Sequence, residues 1–164
     1  MNDPKCKRFH RECDEFSLCV NIGEKGYVLA EHPNERFTIF YYAVYGRGKF
    51  GKIFDSDFKM IESGCISDVQ DYVNDEVLFH ALEDFHLIGF NTLNKNKKWK
   101  SRLIELNEKE LILDNTNSFL ICFDGNPTVN DKKFKRYEYS KVNMNKTYKI
   151  DLGDNGTLVL FSKI

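Results

Sequence analysis

This chain is a succession of short apolar and alternating runs, each closed by turn residues, with no long amphipathic helix pattern between them. "FSLCVNI" (16–22) alternates apolar and polar positions, and "GYVLAEH" (26–32) follows a Gly-bounded turn. "RFTIFYYAVYG" (36–46) is the strongest strand signal of the first half, being rich in β-branched and aromatic residues. "FKMIESG" (58–64), "CISDVQDYV" (65–73), "WKSRLIEL" (99–106), "KELILDN" (109–115), "SFLICFDG" (118–125), "KTYKIDLG" (146–153) and "TLVLFSKI" (157–164) continue the series. About ten short strands at this spacing predict an all-β sandwich or barrel. "DNG" (154–156) reads as a hairpin turn, because Asn-Gly readily takes the positive φ values of a primed turn.

One segment fits two descriptions. In "EVLFHALEDFHLIGFNTL" (76–93), Val77, Leu78, Ala81, Leu82 and Phe85 would share a helical face. They also fit two strands joined by a tight turn at Glu83-Asp84. The strand neighbours and Gly89 favour the second description.

Composition narrows the class. Hydrophobic residues make up 41% and charged residues 30%, which places the chain among globular rather than disordered sequences. Net charge is −1, so no global field exists to hold nucleic acid or an anionic membrane. Apolar runs such as 119–123 are far too short to span a bilayer. "MNDPKCKRFHREC" has no apolar h-region of a secretory signal. With five cysteines, that implies reduced thiols and a cytoplasmic location. Residues 1–15 read as a loose polar arm, and 16–164 as a single β-domain. The Asn- and Lys-rich composition suits an AT-rich microbe or its virus.

The stretch "SFLICFDGNPTVNDKKFKRYEYSKV" (118–142) carries a more specific pattern. A strand ends at Gly125 and a short hairpin holds Val129-Asn130. Residues 137–139 lead to a polar turn at 143–146, and the paired closing strands include 156–161. A weaker echo runs through "FYYAVYGRGKFGKI" and "FKMIESGCISD", with the same strand–Gly hairpin followed by a Glu-x-Gly turn. This order over residues 26–164 resembles the cupin β-roll superfamily. The resemblance implies a double-stranded β-helix, or jelly roll. Metal-binding cupins use a His pair, a Glu and a later His, opening with Gly, five residues, His, one residue, His. Here Gly26 and His32 stand at that spacing, but Asn34 occupies the second His position and "FTIFYY" (37–42) has no Glu. The expectation is therefore no metal and no cofactor.

Other chemistry is thinly represented. Cys6, His10, Cys13 and Cys19 are a tetrahedral zinc set by residue type, but their spacings match no standard zinc knuckle. They read instead as exposed thiols on the arm, with Cys19, Cys65 and Cys122 buried as small hydrophobes. There is no Gly-x-Ser-x-Gly elbow and no phosphate-cradling loop. "GRGKFG" (46–51) joins two strands and reads as a hairpin tip. "NKNKKWKSR" (94–102) interleaves basic residues with Trp99, which makes Trp99 and Arg102 ligand-binding candidates by stacking and charge.

Two functions follow. The first is a non-catalytic β-roll module for binding or assembly, with a small molecule or carbohydrate as its ligand. The alternative rests on the resemblance: a metal-independent cupin-type epimerase or isomerase acting on a sugar or small acid. Such enzymes use a His–Asp base and a Tyr acid inside the roll, which makes His80, His86, Tyr41, Tyr45, Asp68 and Asp124 the candidates. An interior filled by Phe and Leu would favour the module. On the strand 36–46, Phe37, Ile39, Tyr41 and Ala43 alternate with Phe40, Tyr42 and Val44. Both faces need cover, which another part of the chain or a second subunit could supply; the expectation is a homodimer, with a trimer as the alternative.

Overall fold

The computed structural model describes residues 2–31, 36–52, 57–72, 76–93, 97–113, 118–143 and 145–164. Seventeen strands and one 3-10 turn (Gln70–Tyr72) make up its regular structure, so the all-β expectation holds. The segment 76–93 is two strands with its turn at 82–84, not a helix. Among the described residues no helix is long and apolar enough to cross a membrane.

Contacts gather in two compact units, Met1–Asn96 and Lys97–Ile164, where the sequence suggested one roll over 16–164. The first contains β1 (Cys6–Glu12), β2 (Ser17–Gly23), β3 (Val28–Glu31), β4 (Phe37–Tyr45), β5 (Gly48–Lys52), β6 (Lys59–Ile61), β7 (Ile66–Asp68), β8 (Val77–Ala81) and β9 (Phe85–Thr92). Its sheets run β1-β2-β9-β4-β7 and β3-β8-β5-β6. The second contains β10 (Trp99–Leu103), β11 (Glu110–Ile112), β12 (Ser118–Asp124), β13 (Thr128–Val129), β14 (Lys132–Lys133), β15 (Tyr139–Val142), β16 (Thr147–Asp151) and β17 (Thr157–Lys163). Its sheets run β10-β17-β12-β15 and β11-β16-β13-β14.

Counted from β2 and from β10, both units show one order: first, eighth, third, sixth in one sheet, and second, seventh, fourth, fifth in the other. That is an eight-stranded jelly roll in each half, which closes by pairing its first and last strands. The echo between the two halves of the sequence is this repeat. The repeat extends to one glycine. Gly46 after β4 and Gly125 after β12 both have φ near +70 to +80 (81° and 68°). A Cβ at Gly46 would lie 2.2 Å from the Asp84 carbonyl oxygen, and one at Gly125 2.5 Å from that of Asn155. In each unit the third strand thus ends where only glycine lets it pass the turn between the seventh and eighth strands. In the closing hairpin the positive φ falls on Gly153 rather than on Asn155-Gly156.

The arm expected at 1–15 is not loose over its length. Residues 6–12 form β1, paired with β2 from Cys6↔Gly23 to Glu12↔Ser17. An edge strand is held by main-chain bonds and needs no apolar alternation, and charged side chains protect it from pairing further. That is why its polar sequence concealed it. On β4, Ile39, Phe40, Tyr41, Tyr42 and Ala43 are all buried. Both faces of this strand find their cover within the single chain.

Each unit has an apolar interior. Leu29, Tyr41, Phe50, Phe79, Phe85 and Leu87 anchor the first, with Tyr41 edge-on to Phe50 at 5.3 Å and Phe79 to Phe85 at 5.2 Å. Leu120, Cys122, Phe134, Val142, Ile150 and Leu158 anchor the second. Truncating Phe85 removes a ring that packs on two sides of this core. We expect Phe85→Ala to lose about 3–5 kcal/mol of unfolding free energy, measured by urea denaturation. A loss below about 1 kcal/mol would contradict the packing described.

Candidate functional site

The inward face of the first unit changes character along its length. On β9, Phe85 and Leu87 point into the core, and the same row continues as Gly89 and Asn91. Opposite them on β2 stand Asn21, Cys19 and Ser17, and on β1 Arg8, His10 and Glu12. The apolar filling stops at Leu87, and a cleft of about 430 Å3 opens beyond it, walled by Arg8, His10, Glu12, Cys19, Arg36, Thr38 and Asn91. A volume of this order suits a small ligand.

The polar groups of the cleft are arranged in three sets. Thr38 Oγ1 donates to Asn91 Oδ1 at 2.6 Å, across β4 and β9. Arg36 pairs with the Glu12 carboxylate and donates to Ser17 Oγ at 2.9 Å. The hydrogen bond from Arg36 holds the Glu12 carboxyl below its ordinary value. A depressed carboxyl keeps its charge through neutral pH, so this pair is lost only as pH falls into the acid range. The third set converges on Cys19 Sγ: Asn21 Nδ2 at 3.6 Å, Arg8 Nη2 at 3.8 Å and His10 Nε2 at 3.9 Å. Asn21 is fully buried and its Oδ1 has no hydrogen-bond partner.

The second unit repeats the site in a reduced form. Ser118 and Ser162 occupy the positions of Thr38 and Asn91, with their hydroxyls 2.8 Å apart. Lys100, Arg102 and Ile104 stand where the first unit has Ser17, Cys19 and Asn21, and Leu160 stands for Gly89. The leucine fills part of the space, leaving a cleft of about 300 Å3 that includes Lys100, Arg102, Ser118 and Ser162. Arg102 is held by Glu108 through bonds of 2.6 and 3.0 Å, and that contact lowers the Glu108 carboxyl's pKa.

The residues singled out from sequence are scattered. His80 is exposed on β8, and Tyr41 lies in the first core. His86 is buried on the opposite face of β9 from Leu87, with its ring 5.8 Å from that of the exposed Tyr45. Asp68 accepts from the Gln70 backbone and side chain at the end of β7. Asp124 accepts from Arg136 and from the Gly125 amide. Of these candidates, His86 and Tyr45 meet ring to ring. Of the cysteines, Cys19 and Cys122 are buried as expected, but Cys65 is exposed in the turn before β7. Burial pushes the Cys13 and Cys122 thiols up to about 11. Cys13 does not join Cys19 and His10, and among the described residues no three His, Cys, Asp or Glu side chains gather as a metal set. His32 and Asn34, the positions of the degenerate metal pattern, lie outside the described residues.

The cleft residues that sequence reasoning missed are Arg8, Glu12, Arg36, Thr38 and Asn91. The signal was alternation along β1, where Arg8, His10 and Glu12 share a face; reading 1–15 as an arm hid it. Trp99 corrects in the other direction. It is buried on β10 against Phe119, with Lys163 Nζ 5.5 Å from its ring centroid, and cannot stack on a ligand. As the sole tryptophan it reports on itself. We expect its native fluorescence to resist quenching by iodide and to become quenchable on denaturation. Quenching in the native protein would show an exposed ring.

No family model and no curated protein matches this chain. Solved structures do. A cupin 2 conserved barrel domain protein from Leptotrichia buccalis aligns with a TM-score of 0.54 at 14% identity, covering 98% of this chain and 88% of that one. A conserved protein of unknown function from Pseudomonas aeruginosa aligns at 0.64 and 7% identity, over 96% of this chain and 88% of its own. HutD from Pseudomonas fluorescens aligns at 0.61 and 8% identity, over 99% and 100%. Identities this low speak for fold alone, and coverage this complete runs across both units. The chain has an all-β, cupin-like jelly-roll fold.

Proposed function

We propose that this protein is a non-catalytic binding module that holds a small anionic molecule in the cleft of its first unit. The observation that carries the reading is the pairing of a filled apolar interior with an open polar end. The core is closed by Phe50, Phe79 and Phe85, while the adjoining cleft presents the Arg8 guanidinium beside the Arg36–Glu12 ion pair. Arginine recognises carboxylates and phosphates through its planar fork of donors. His10, Thr38 and Asn91 add polar groups that fix orientation. The epimerase alternative has less support, because its His, Asp and Tyr candidates do not converge. Work in a reducing cytoplasm fits five cysteines that form no disulfide.

The test is a thermal-shift screen of malonate, succinate, inorganic phosphate and glucose. A ligand at a hundred times its Kd stabilises by about 2.7 kcal/mol, enough to raise the melting temperature measurably. We expect at least one anion to do so and glucose not to, and Arg8→Gln to abolish the shift. Anions that leave the wild-type transition unmoved, or a shift that survives in Arg8→Gln, would overturn the reading.

A further inference from the structure

We infer that Cys19 is a covalent attachment site, whose thiol adds to small carboxylates bearing an electrophilic carbon, with His10 as the base. The inference rests on the reading of this cleft as an anion site and adds a chemical step to it. The corresponding position in the second unit is Arg102, and the neighbouring buried position is Ile104. In the first unit those places hold a thiol and a buried amide whose Oδ1 has no partner. A buried polar group left unsatisfied is costly, and an isoleucine at the same place in the same fold avoids that cost. The first unit therefore carries Asn21 for a reason other than packing. Its Nδ2 is aimed at the Cys19 sulfur, which makes the sulfur the focus of the site.

The geometry suits nucleophilic addition. A nucleophile and its base must lie within hydrogen-bond reach, and His10 Nε2 is 3.9 Å from Cys19 Sγ, a sulfur-type contact. Arg8 Nη2, 3.8 Å from the same sulfur, places a carboxylate-binding group beside the reacting atom. Gly89 faces Cys19 across β2 and β9 and contributes no side chain to the space above it, where Leu160 stands in the second unit. For a small carboxylate bearing an aldehyde, the sulfur attacks the carbonyl carbon. An S–C bond forms and the π pair of the C=O moves to oxygen. The thiol proton passes to His10 Nε2 and then to that oxygen, leaving a hemithioacetal and a neutral imidazole. Nothing is oxidised or reduced, and no group departs.

Alkylation reads this out. Iodoacetate and iodoacetamide differ in the negative charge that Arg8 would hold, and with either reagent an S–C bond forms as iodide leaves. Peptide mapping by mass spectrometry gives the rate at each cysteine, with the exposed Cys65 as the internal reference. At Cys19 we expect iodoacetate to react about tenfold faster than iodoacetamide, the size of one charge-assisted hydrogen bond. Arg8→Gln should bring that ratio down to the one at Cys65. His10→Gln should slow both reagents at Cys19 alone, and glyoxylate should protect Cys19. Both substituted side chains are exposed on the edge strand β1, and a buried Cys122 that stays unreactive shows that the variants are folded. A folded wild type in which Cys19 reacts with iodoacetate no faster than Cys65, or a charge preference that survives in Arg8→Gln, overturns the inference. If the unreactive anions of the thermal-shift screen still bind, the binding reading stands and only the covalent step falls.

Discussion

The pairing of β9 with both β2 and β4 is the contact on which the first unit depends. All eight residues of β9 are buried, which is what a central strand with cover on both faces requires. Its two neighbours fix its register along its whole length, and in a strand of period two that register decides which face each side chain takes. Phe85 and Leu87 go into the core, and His86 and Ile88 go to the other side. A slip of one residue would exchange the two sets, putting His86 into the apolar interior and Phe90 into the cleft.

The same strand explains why the cleft lies where it does. Its inward row runs Phe85, Leu87, Gly89, Asn91, so bulk falls away after two residues and polarity takes over. The row on β17 runs Leu158, Leu160, Ser162 and stays apolar for one step longer. Volumes of about 430 and 300 Å3 follow that difference. Gly89 is constrained from a second direction, since a Cβ there would lie 3.2 Å from the Tyr41 ring and 3.3 Å from Thr38 Cγ2. The ring and the methyl group occupy the room that a side chain at Gly89 would need.

Much of the architecture was legible because alternation and turn residues act locally. The strands at 16–22, 36–46, 118–125 and 157–164, the turn at Gly125 and the reading of 76–93 as two strands all came from that source. The number of rolls did not. Counting rolls requires knowing that β2 closes on β9 and β10 on β17, pairings between residues far apart that leave no local mark. The one trace was the repeated strand–Gly element, and its cause is steric: Gly46 and Gly125 each pass beneath a turn with no room for a Cβ. The site was legible only in part. His10 and Cys19 stood out by residue type, but as zinc candidates. Arg8 and Glu12 were missed because an exposed edge strand carries none of the apolar pattern that announces a strand. A different reason applies to Trp99, which is buried, and to the His, Asp and Tyr candidates, which lie apart. Residue type says what a side chain can do, and burial and facing decide whether it has the chance.

Comparing the two halves separates what the fold needs from what it merely tolerates. Both keep the strand order, the glycine after the third strand and a hydrogen-bonded polar pair between the third and eighth strands, Thr38–Asn91 in one and Ser118–Ser162 in the other. Those features recur because an eight-stranded roll has to close, and its inward polar atoms must find partners at the open end. Ser17, Cys19, Asn21 and Gly89 do not recur. Lys100, Arg102, Ile104 and Leu160 satisfy the same backbone with longer or more apolar side chains, so the first unit's choice is not forced by its pairing. Four adjacent departures run toward smaller or more polar groups, and the Tyr41 ring, larger than the Leu120 in the matching place, takes up the room at Gly89. The thiol and amide that stand there are thus a choice of side chain within one backbone, and Arg8 and His10 of the edge strand gather on that thiol.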